Sequence, residues 1–429
     1  MGKKKNNKRP TGSNHPQKRR KVGRYWVEDC IELLPPPDKE ASIVVTISRV
    51  ELDDEHSHRP TDEKKKTTDH AESATLTKGA EDLAKSIVGT ETKDPERCDT
   101  TSPQLQAAAP LVDIPIDQAF IAIQRDPTAK VPFKKFKHQN FKPLPNGDCG
   151  DGVVNPHDKR NVPDKYWAQR KRFFSRFDDG IRLDNEGWYS VTPEAIANHI
   201  ANRVLLAAAA IAGKPQQQHG KSMVVMDAFC GCGGNAIAFA RRPEVSLVIA
   251  IDCDRGKLEI AANNAAVYNV APEKIVFIHG NAADALRQYK DGKLGIGKKA
   301  SGVSCDVEVA VEIDHGFKVG GMDLLPDCLD SIFLSPPWGG MDYEKSGKRN
   351  YHIETCIEVS DANGVPCNGE DILVASAAAT AGPVVYFLPR NINGISFGRS
   401  ALKANYRAVE MELNVLMDKL KTVTAYLGM

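Results

Sequence analysis

The stretch SMVVMDAFCGCGGNAIAFA, Ser222–Ala240, decides the fold. An apolar run of strand length ends on an acid, Asp227. A turn carrying Gly231, Gly233 and Gly234 follows, and Asn235 then opens an alanine-rich helical pattern. Strand, glycine turn and helix in that order form the first unit of an open α/β sheet. The glycines let a ligand lie against bare backbone, and free amides at the helix start favour a carboxylate or phosphate.

The same alternation continues toward the C-terminus. SLVIAID (246–252), KIVFIHG (274–280), LDSIFLS (329–335) and PVVYFLP (383–389) read as buried strands. DRGKLEIAANNAAVYN (254–269), NAADALRQY (281–289) and EDILVASAAAT (370–380) read as helices between them. RAVEMELNVLM and KLKTVTAYLG close the chain as a pair. The pattern predicts a doubly wound parallel sheet, covered on both faces, with a reversed final strand pair. Ahead of the sheet, VTPEAIANHIANRVLLAAAAIAG (191–213) is a helix, with Thr192 suited to its cap and Pro193 to its first turn. Two polar, glycine-rich insertions, residues 290–326 and 344–370, are expected on surface loops.

Composition divides the chain. Residues 1–160 are rich in Lys, Asp, Thr, Pro and Ser and poor in aromatics, which predicts a mostly disordered basic and polar region. Residues 161–215 are expected to form a helical accessory lobe and 216–429 the main α/β domain. Net charge is +1, so no global field draws in nucleic acid. Local charge differs: MGKKKNNKRP and QKRRKVGR concentrate lysine and arginine, with Lys18–Lys21 reading as a nuclear import signal. ASIVVTISRV (41–50) has strand character, and VPFKKFKHQNFKP (131–143) interleaves bases and aromatics as RNA-binding segments do. The 10 cysteines include no C-x-x-C pair, which argues against a structural metal and for reduced thiols. No signal peptide or membrane-length apolar run is evident, so no membrane partner is expected.

Two sites follow from the pattern. The glycine turn departs from G-x-G-x-x-G, which argues against a dinucleotide. Asp252 ends the next strand about twenty residues later, where a carboxylate takes the hydroxyls of a ribose. With Asn281 and Ala282 placed for an adenine edge and Asp227 for a methionine portion, the set fits S-adenosylmethionine. FLSPPWGG, Phe333–Gly340, ends the neighbouring strand. Its prolines fix the backbone, so the Ser335 hydroxyl and Pro336 carbonyl can accept two N–H bonds. Trp338 can lie flat on a base. Exocyclic amines are poor nucleophiles, and acceptors aimed at their N–H bonds favour the pyramidal, reactive form. The motif therefore aligns a base amine for methyl transfer, by position and electrostatics more than by acid–base chemistry.

From Lys165 onward the chain resembles the trimethylguanosine synthase family, RNA cap guanine-N2 methyltransferases. The strings that carry the resemblance are KYWAQR, FSRFDDGI, GWYSVTPE, DAFCGCGGN, NNAAVY, FLSPPWGG, YFLPRN and KLKTVTAY. The resemblance implies a Rossmann-like class I S-adenosylmethionine-dependent fold, with a seven-stranded sheet and an antiparallel last strand. It implies Asp227, Asn264, Ser335, Pro336 and Trp338 at the reacting centre. Asp227, Phe229, Gly231, Gly233, Asn235, Asp252, Asn281, Ala282, Ser335 and Thr192 would hold the cofactor. Phe174 and Trp338 would sandwich the 7-methylguanine, with Lys165, Ser190, Tyr343, Arg390 and Asn391 on the rest of the cap. No metal is implied. The implied substrates are capped small nuclear and nucleolar RNAs, not DNA; the implied compartment is the nucleus, with the cytoplasm second. Ribonucleoprotein core proteins are the implied partners of the N-terminal region. Cys232 and Asn281 depart from the family pattern, Asn281 replacing an acid. The proline motif also serves adenine N6 and tRNA guanine N2 methylation, and an inert cap-binding module is the remaining alternative.

Overall fold

The computed structural model describes residues 42–52, 120–125, 153–211, 223–290, 311–340, 343, 347, 350–417 and 419–429. The basic clusters of the first 24 residues and the 131–143 segment lie outside them. The described strands are β1 (Ser42–Leu52), β2 (Phe120–Arg125), β3 (Met223–Asp227), β4 (Val245–Asp252), β5 (Ile275–His279), β6 (Val311–Glu312) and β7 (Lys318–Gly320). There follow β8 (Ser331–Leu334), β9 (Glu358–Ser360), β10 (Pro366–Asn368), β11 (Val384–Pro389), β12 (Ala408–Leu416) and β13 (Lys419–Leu427). The helices are α1 (Asp164–Trp167), α2 (Arg170–Phe173), α3 (Gly187–Ser190), α4 (Glu194–Ile211) and α5 (Gly234–Ala240). They continue with α6 (Arg255–Val267), α7 (Ala282–Lys290), α8 (Ile353–Cys356), α9 (Gly369–Ala379) and α10 (Gly394–Lys403).

The main sheet runs β2-β1-β12-β13-β11-β8-β3-β4-β5-β7-β6. Its central strands β5, β4, β3, β8 and β11 are parallel, and β13 enters antiparallel between β11 and β12. That is the expected doubly wound core with its antiparallel last strand; of the final pair only β13 is reversed, since β12 runs in the direction of β11. The strand count is larger than the expected seven, because both edges are extended. On one edge β1 pairs parallel with β12, and β2 with β1. On the other, β7 pairs parallel with β5 and carries β6.

The sheet divides two apolar layers. Successive side chains of a strand point to opposite faces, so Val224 and Met226 enter one layer while Met223 and Val225 enter the other. β1 belongs to the first layer through Ile43, Val45 and Ile47. Burying each of these contributes about 1.5–3 kcal/mol. A strand therefore stands inside the region expected to be mostly disordered, because its alternating β-branched residues can cover the β12 edge. The described parts of both insertions also form regular structure. Residues 318–320 pair with β5, Phe317 packs on Phe277 with ring centres 5.7 Å apart, and β9 and β10 form a hairpin.

The accessory residues 153–192 pack as a small aromatic knot. Trp167, Phe173 and Trp188 are buried, and the Arg170 guanidinium lies 4.5 Å from the Trp167 ring centre. Arg170 is itself buried and donates to Asp178 at 3.1 Å, which supplies the partner a buried cation needs.

Candidate active site

β3 runs fully buried to Asp227, and the chain then turns through Gly231 and Gly233 into α5. Gly233 has φ +89°, and a Cβ there would lie 3.0 Å from the Ala261 Cβ, so α6 can approach only a glycine. Gly231 has φ +52° and open space where its Cβ would stand, which leaves a cradle for a ligand. Asp252, at the end of β4, closes the turn: its Oδ2 accepts from the Gly231 amide at 2.9 Å and its Oδ1 from the Asp254 amide at 2.9 Å. Burial raises the Asp252 carboxyl above its ordinary value.

Asp227 is fully buried, and neither carboxylate oxygen has a hydrogen-bond partner. Burial is the largest cause that lifts its carboxyl, to about 7; the Asp252 charge adds to it, and the nearby Phe229 and Ala236 amides, which fall short of hydrogen-bond geometry, oppose it. Asn235 stands at the start of α5 with its Oδ1 also buried and unpartnered, while its Nδ2 donates to the Thr192 Oγ1 at 2.9 Å. The Thr192 hydroxyl thus accepts from Asn235 and orients that carboxamide. Two unpartnered acceptors, Asp227 and Asn235, are what a cationic ligand requires. With Phe229 beside them and the Gly231 cradle open, these residues fit a cofactor carrying an ammonium and a sulfonium.

β8 places the second motif alongside. Asp227 is in register with Phe333, and the Ala228 amide donates to the Phe333 carbonyl at 3.1 Å. The Ser335 Oγ donates to the Phe229 carbonyl at 3.1 Å. That bond fixes the hydroxyl rotor, so its lone pairs remain as acceptors. Pro336 is buried beside it. Trp338 is half-buried; its Nε1 donates to the Phe387 carbonyl at 3.2 Å, and its ring leans on Phe387 at 5.4 Å and 34°. Tyr343 meets the indole edge-on at 5.7 Å. The Asn391 Nδ2 donates to the carbonyls of Tyr343 and Gly347, both at 3.1 Å, and so holds the segment after the proline motif. Arg390 is exposed next to it.

Other expected site residues stand apart. Phe174, expected as the second plate, is 2 % exposed and belongs to the accessory core; its Cζ lies 3.8 Å from where a Gly234 Cβ would stand. It supports the glycine turn and offers no open face for a base. Asn264, expected at the reacting centre, is fully buried with its amide engaged. Its Oδ1 accepts from the Arg182 amide at 2.8 Å, and its Nδ2 donates to the Arg182 carbonyl at 2.9 Å and the Cys232 carbonyl at 3.0 Å. It joins the accessory residues to the turn. Lys165 is exposed with its Nζ 4.6 Å from the Tyr166 ring centre, and the Ser190 Oγ donates to the Glu186 carbonyl. Asn281 accepts from the Ala283 amide at 2.8 Å and donates to the Ser360 carbonyl, with Ala282 buried beside it. Burial pushes the Cys232 thiol up to about 12, so it serves as a small apolar residue. Among the described residues no group of acids, histidines and cysteines could hold a metal.

Sequence reading missed the partners that hold this arrangement. The Glu194 Oε2 accepts from the Ser175 amide at 2.5 Å and from the Tyr268 hydroxyl at 2.7 Å, tying α4 and α6 to the accessory knot. Their only sequence signal was the inclusion of Glu194 and Tyr268 in GWYSVTPE and NNAAVY.

A sheet of this order, a glycine turn after its first core strand and an acid at the end of the next define a class I methyltransferase. The RNA cap guanine-N2 methyltransferase family matches residues 222–429. Trimethylguanosine synthase of Schizosaccharomyces pombe is 31% identical over 227 residues, 53% of this chain and 70% of that protein. Trimethylguanosine synthase of Saccharomyces cerevisiae is 27% identical over 269 residues, 62% of this chain and 63% of that protein. Among solved structures, the METTL16 MTase domain aligns with a TM-score of 0.37 at 11% identity, covering 64% of this chain and 82% of that one. The chain belongs to the RNA cap guanine-N2 methyltransferase family.

Proposed function

We propose that this chain methylates guanine N2 of the 7-methylguanosine cap of RNA, using S-adenosylmethionine, and that two transfers give the trimethylated cap. The observation that carries the reading is the Ser335–Phe229 hydrogen bond. It puts the amine-aligning motif one bond away from the turn that would hold the methyl donor. When bound, the cofactor supplies an electrophilic methyl group.

The chain's own part is to hold and align. Asp227 and Asn235 would face the ammonium, and Asp252 the ribose. The Ser335 lone pairs and the Pro336 carbonyl accept from the amine N–H bonds, which favours pyramidal nitrogen. The product ammonium can lose its proton to water, so no dedicated base is needed. Trp338, backed by Phe387, presents an aromatic surface to a base that carries a positive charge. Such a contact is worth about 0.5–2 kcal/mol depending on desolvation. That is enough to favour the N7-methylated cap over the unmethylated one by several-fold.

Small nuclear and nucleolar RNAs are the proposed substrates and the nucleus the proposed compartment, the latter on the strength of the basic run at Lys18–Lys21. The test is mass analysis of 7-methylguanosine cap dinucleotide incubated with the protein and S-adenosylmethionine. One or two added methyl groups, absent when the cap lacks its N7 methyl, support the reading. Methylation of uncapped RNA with none on the cap analogue would replace it with a base-amine methyltransferase of other specificity.

A further inference from the structure

Four strand ends stand in a row at the carboxyl edge of the sheet. β8 carries the proline motif, β3 the glycine turn, β4 Asp252 and β5 the loop with Asn281. Asp252 is in register with His279, and the Gly280 amide donates to the Asp252 carbonyl at 3.1 Å. A ligand with its reactive end at β8 and its ribose at β4 has its base at β5.

The β9–β10 hairpin arrives at that end from an insertion between β8 and β11. Three groups on or just before α7 hold it. The Asn281 Nδ2 donates to the Ser360 carbonyl. The Asp284 Oδ2 accepts from the Ala362 amide at 2.7 Å. The Arg287 Nη1 donates to the Asp361 Oδ2 at 2.5 Å. Asp361 is itself buried, and its Oδ1 accepts from the Asn363 and Val365 amides at 2.9 and 2.8 Å, closing the turn from inside. Such anchoring is more than a surface loop needs. It also engages both functions of Asn281, which stands where an acid is expected to read the adenine.

We infer that the Glu358–Asn368 hairpin is the outer wall of the nucleoside end of the methyl-donor site, and that Asn281, Asp284 and Arg287 are the residues that position it. The inference rests on the proposed S-adenosylmethionine site. It also makes one insertion border both ends of the ligand, since the same segment begins beside Trp338 and Tyr343.

The test uses the full chain and two probes, S-adenosylhomocysteine and 5′-methylthioadenosine, which shares only the nucleoside end. Asn281→Asp sets a carboxylate against the Ser360 carbonyl. Arg287→Ala removes the ion pair. Ala362→Pro deletes one tether from the hairpin tip, at a turn position that tolerates proline, and serves if either other variant fails to fold in thermal melting. Each loses a bond whose net worth corresponds to about ten-fold in affinity. Both probes should weaken by that factor in each variant. KM for the methyl donor should rise several-fold in Arg287→Ala, with KM for cap analogue moving less than about two-fold. S-adenosylhomocysteine should also slow amide exchange across 358–368 in the unmodified chain. Unchanged probe affinity in the folded variants, with no protection of the hairpin, overturns the inference. Failure of the unmodified chain to bind S-adenosylhomocysteine overturns the cofactor reading instead.

Discussion

Replacing Asp227 with asparagine should stabilise the ligand-free protein and cripple its cofactor binding. The carboxyl is buried without a hydrogen-bond partner, and burial raises it from 3.8 to about 7. Ionising it inside the fold therefore costs about 4 kcal/mol more than in the unfolded chain, at about 1.36 kcal/mol per pH unit. The sign follows from the direction of the shift. A carboxyl raised on folding contributes fully to stability below about pH 4 and loses that contribution as pH rises through 7. Asparagine is close in shape and never ionises. Asp227→Asn should thus match the unmodified chain below about pH 4 and exceed it by a margin that grows until about pH 7. Part of the 4 kcal/mol is relieved by relaxation around the charge, and each kcal/mol retained moves Tm by about 2–4 °C in a domain of roughly this size.

The assay is thermal denaturation from about pH 3.5 to 8.5, with and without S-adenosylhomocysteine. The unmodified chain should gain stability from the ligand in proportion to RT ln(1 + [L]/Kd), about 2.7 kcal/mol at a hundred-fold excess over Kd. The variant should gain much less. Ligand binding to the unmodified chain should also release a proton near pH 7, since the cation favours ionised Asp227. A variant less stable than the unmodified chain at pH 8, without ligand, would refute the reasoning. It would mean that the carboxylate is satisfied within the fold and needs no cation.

Trp338→Ala should weaken cap analogue by about two- to thirty-fold, from the loss of about 0.5–2 kcal/mol of stacking, while Trp338→Phe retains part of it; fluorescence titration distinguishes the two. Gly233→Ala should destabilise the fold by about 1–3 kcal/mol in urea melts, because its φ of +89° and the Ala261 contact at 3.0 Å leave no room. Arg203→Met should lower Tm, since Arg203 bridges Glu410 at 2.6 Å and the buried Glu412 at 2.8 Å and lies 4.6 Å from the Tyr426 ring centre. Glu412 keeps its bonds to His199 and Tyr426, so the loss is about 1–3 kcal/mol, and calorimetry reads it directly.

The parallel core was legible because buried strands write continuous apolar runs and their turns write glycine. The two strand ends of the candidate site were legible for the same reason: Asp227 and Ser335 stop apolar runs at the carboxyl edge of the sheet, the edge where ligands bind in open α/β folds. Edge strands were harder. β7 has three residues and β6 two, too short to show a period. β1 shows its period, but more than a hundred residues separate it from the accessory lobe, and local patterning says nothing about a partner so remote as β12. Side-chain roles at the site were legible only by residue type. Phe174 and Trp338 are both aromatic next to polar residues, yet one fills a core and the other is half-buried beside the proline motif. The difference lies in which face the accessory knot closes, and that is set by Trp167, Phe173 and Trp188 together.

The asparagines settle how the accessory residues can move. Asn264 binds both backbone groups of Arg182 and the carbonyl of Cys232; Asn263 donates to the Gly180 carbonyl at 3.0 Å; Asn235 donates to Thr192. All of these bonds except the one to Cys232, which ties α6 to the glycine turn, run from the accessory side to the turn or to α6 behind it. A lobe hinged to swing over a cap would have to break several buried amide bonds at once. Each leaves a donor or acceptor unpaired at about 1–3 kcal/mol, which sums to more than a stacked base returns. Residues 180–192 and the cofactor turn therefore behave as one body. Residues that these bonds do not hold include the exposed Lys165 on α1 and, after the proline motif, Gly339 and Gly340. A donor bound against Asn235 would therefore meet a carboxamide that Thr192 already holds in place.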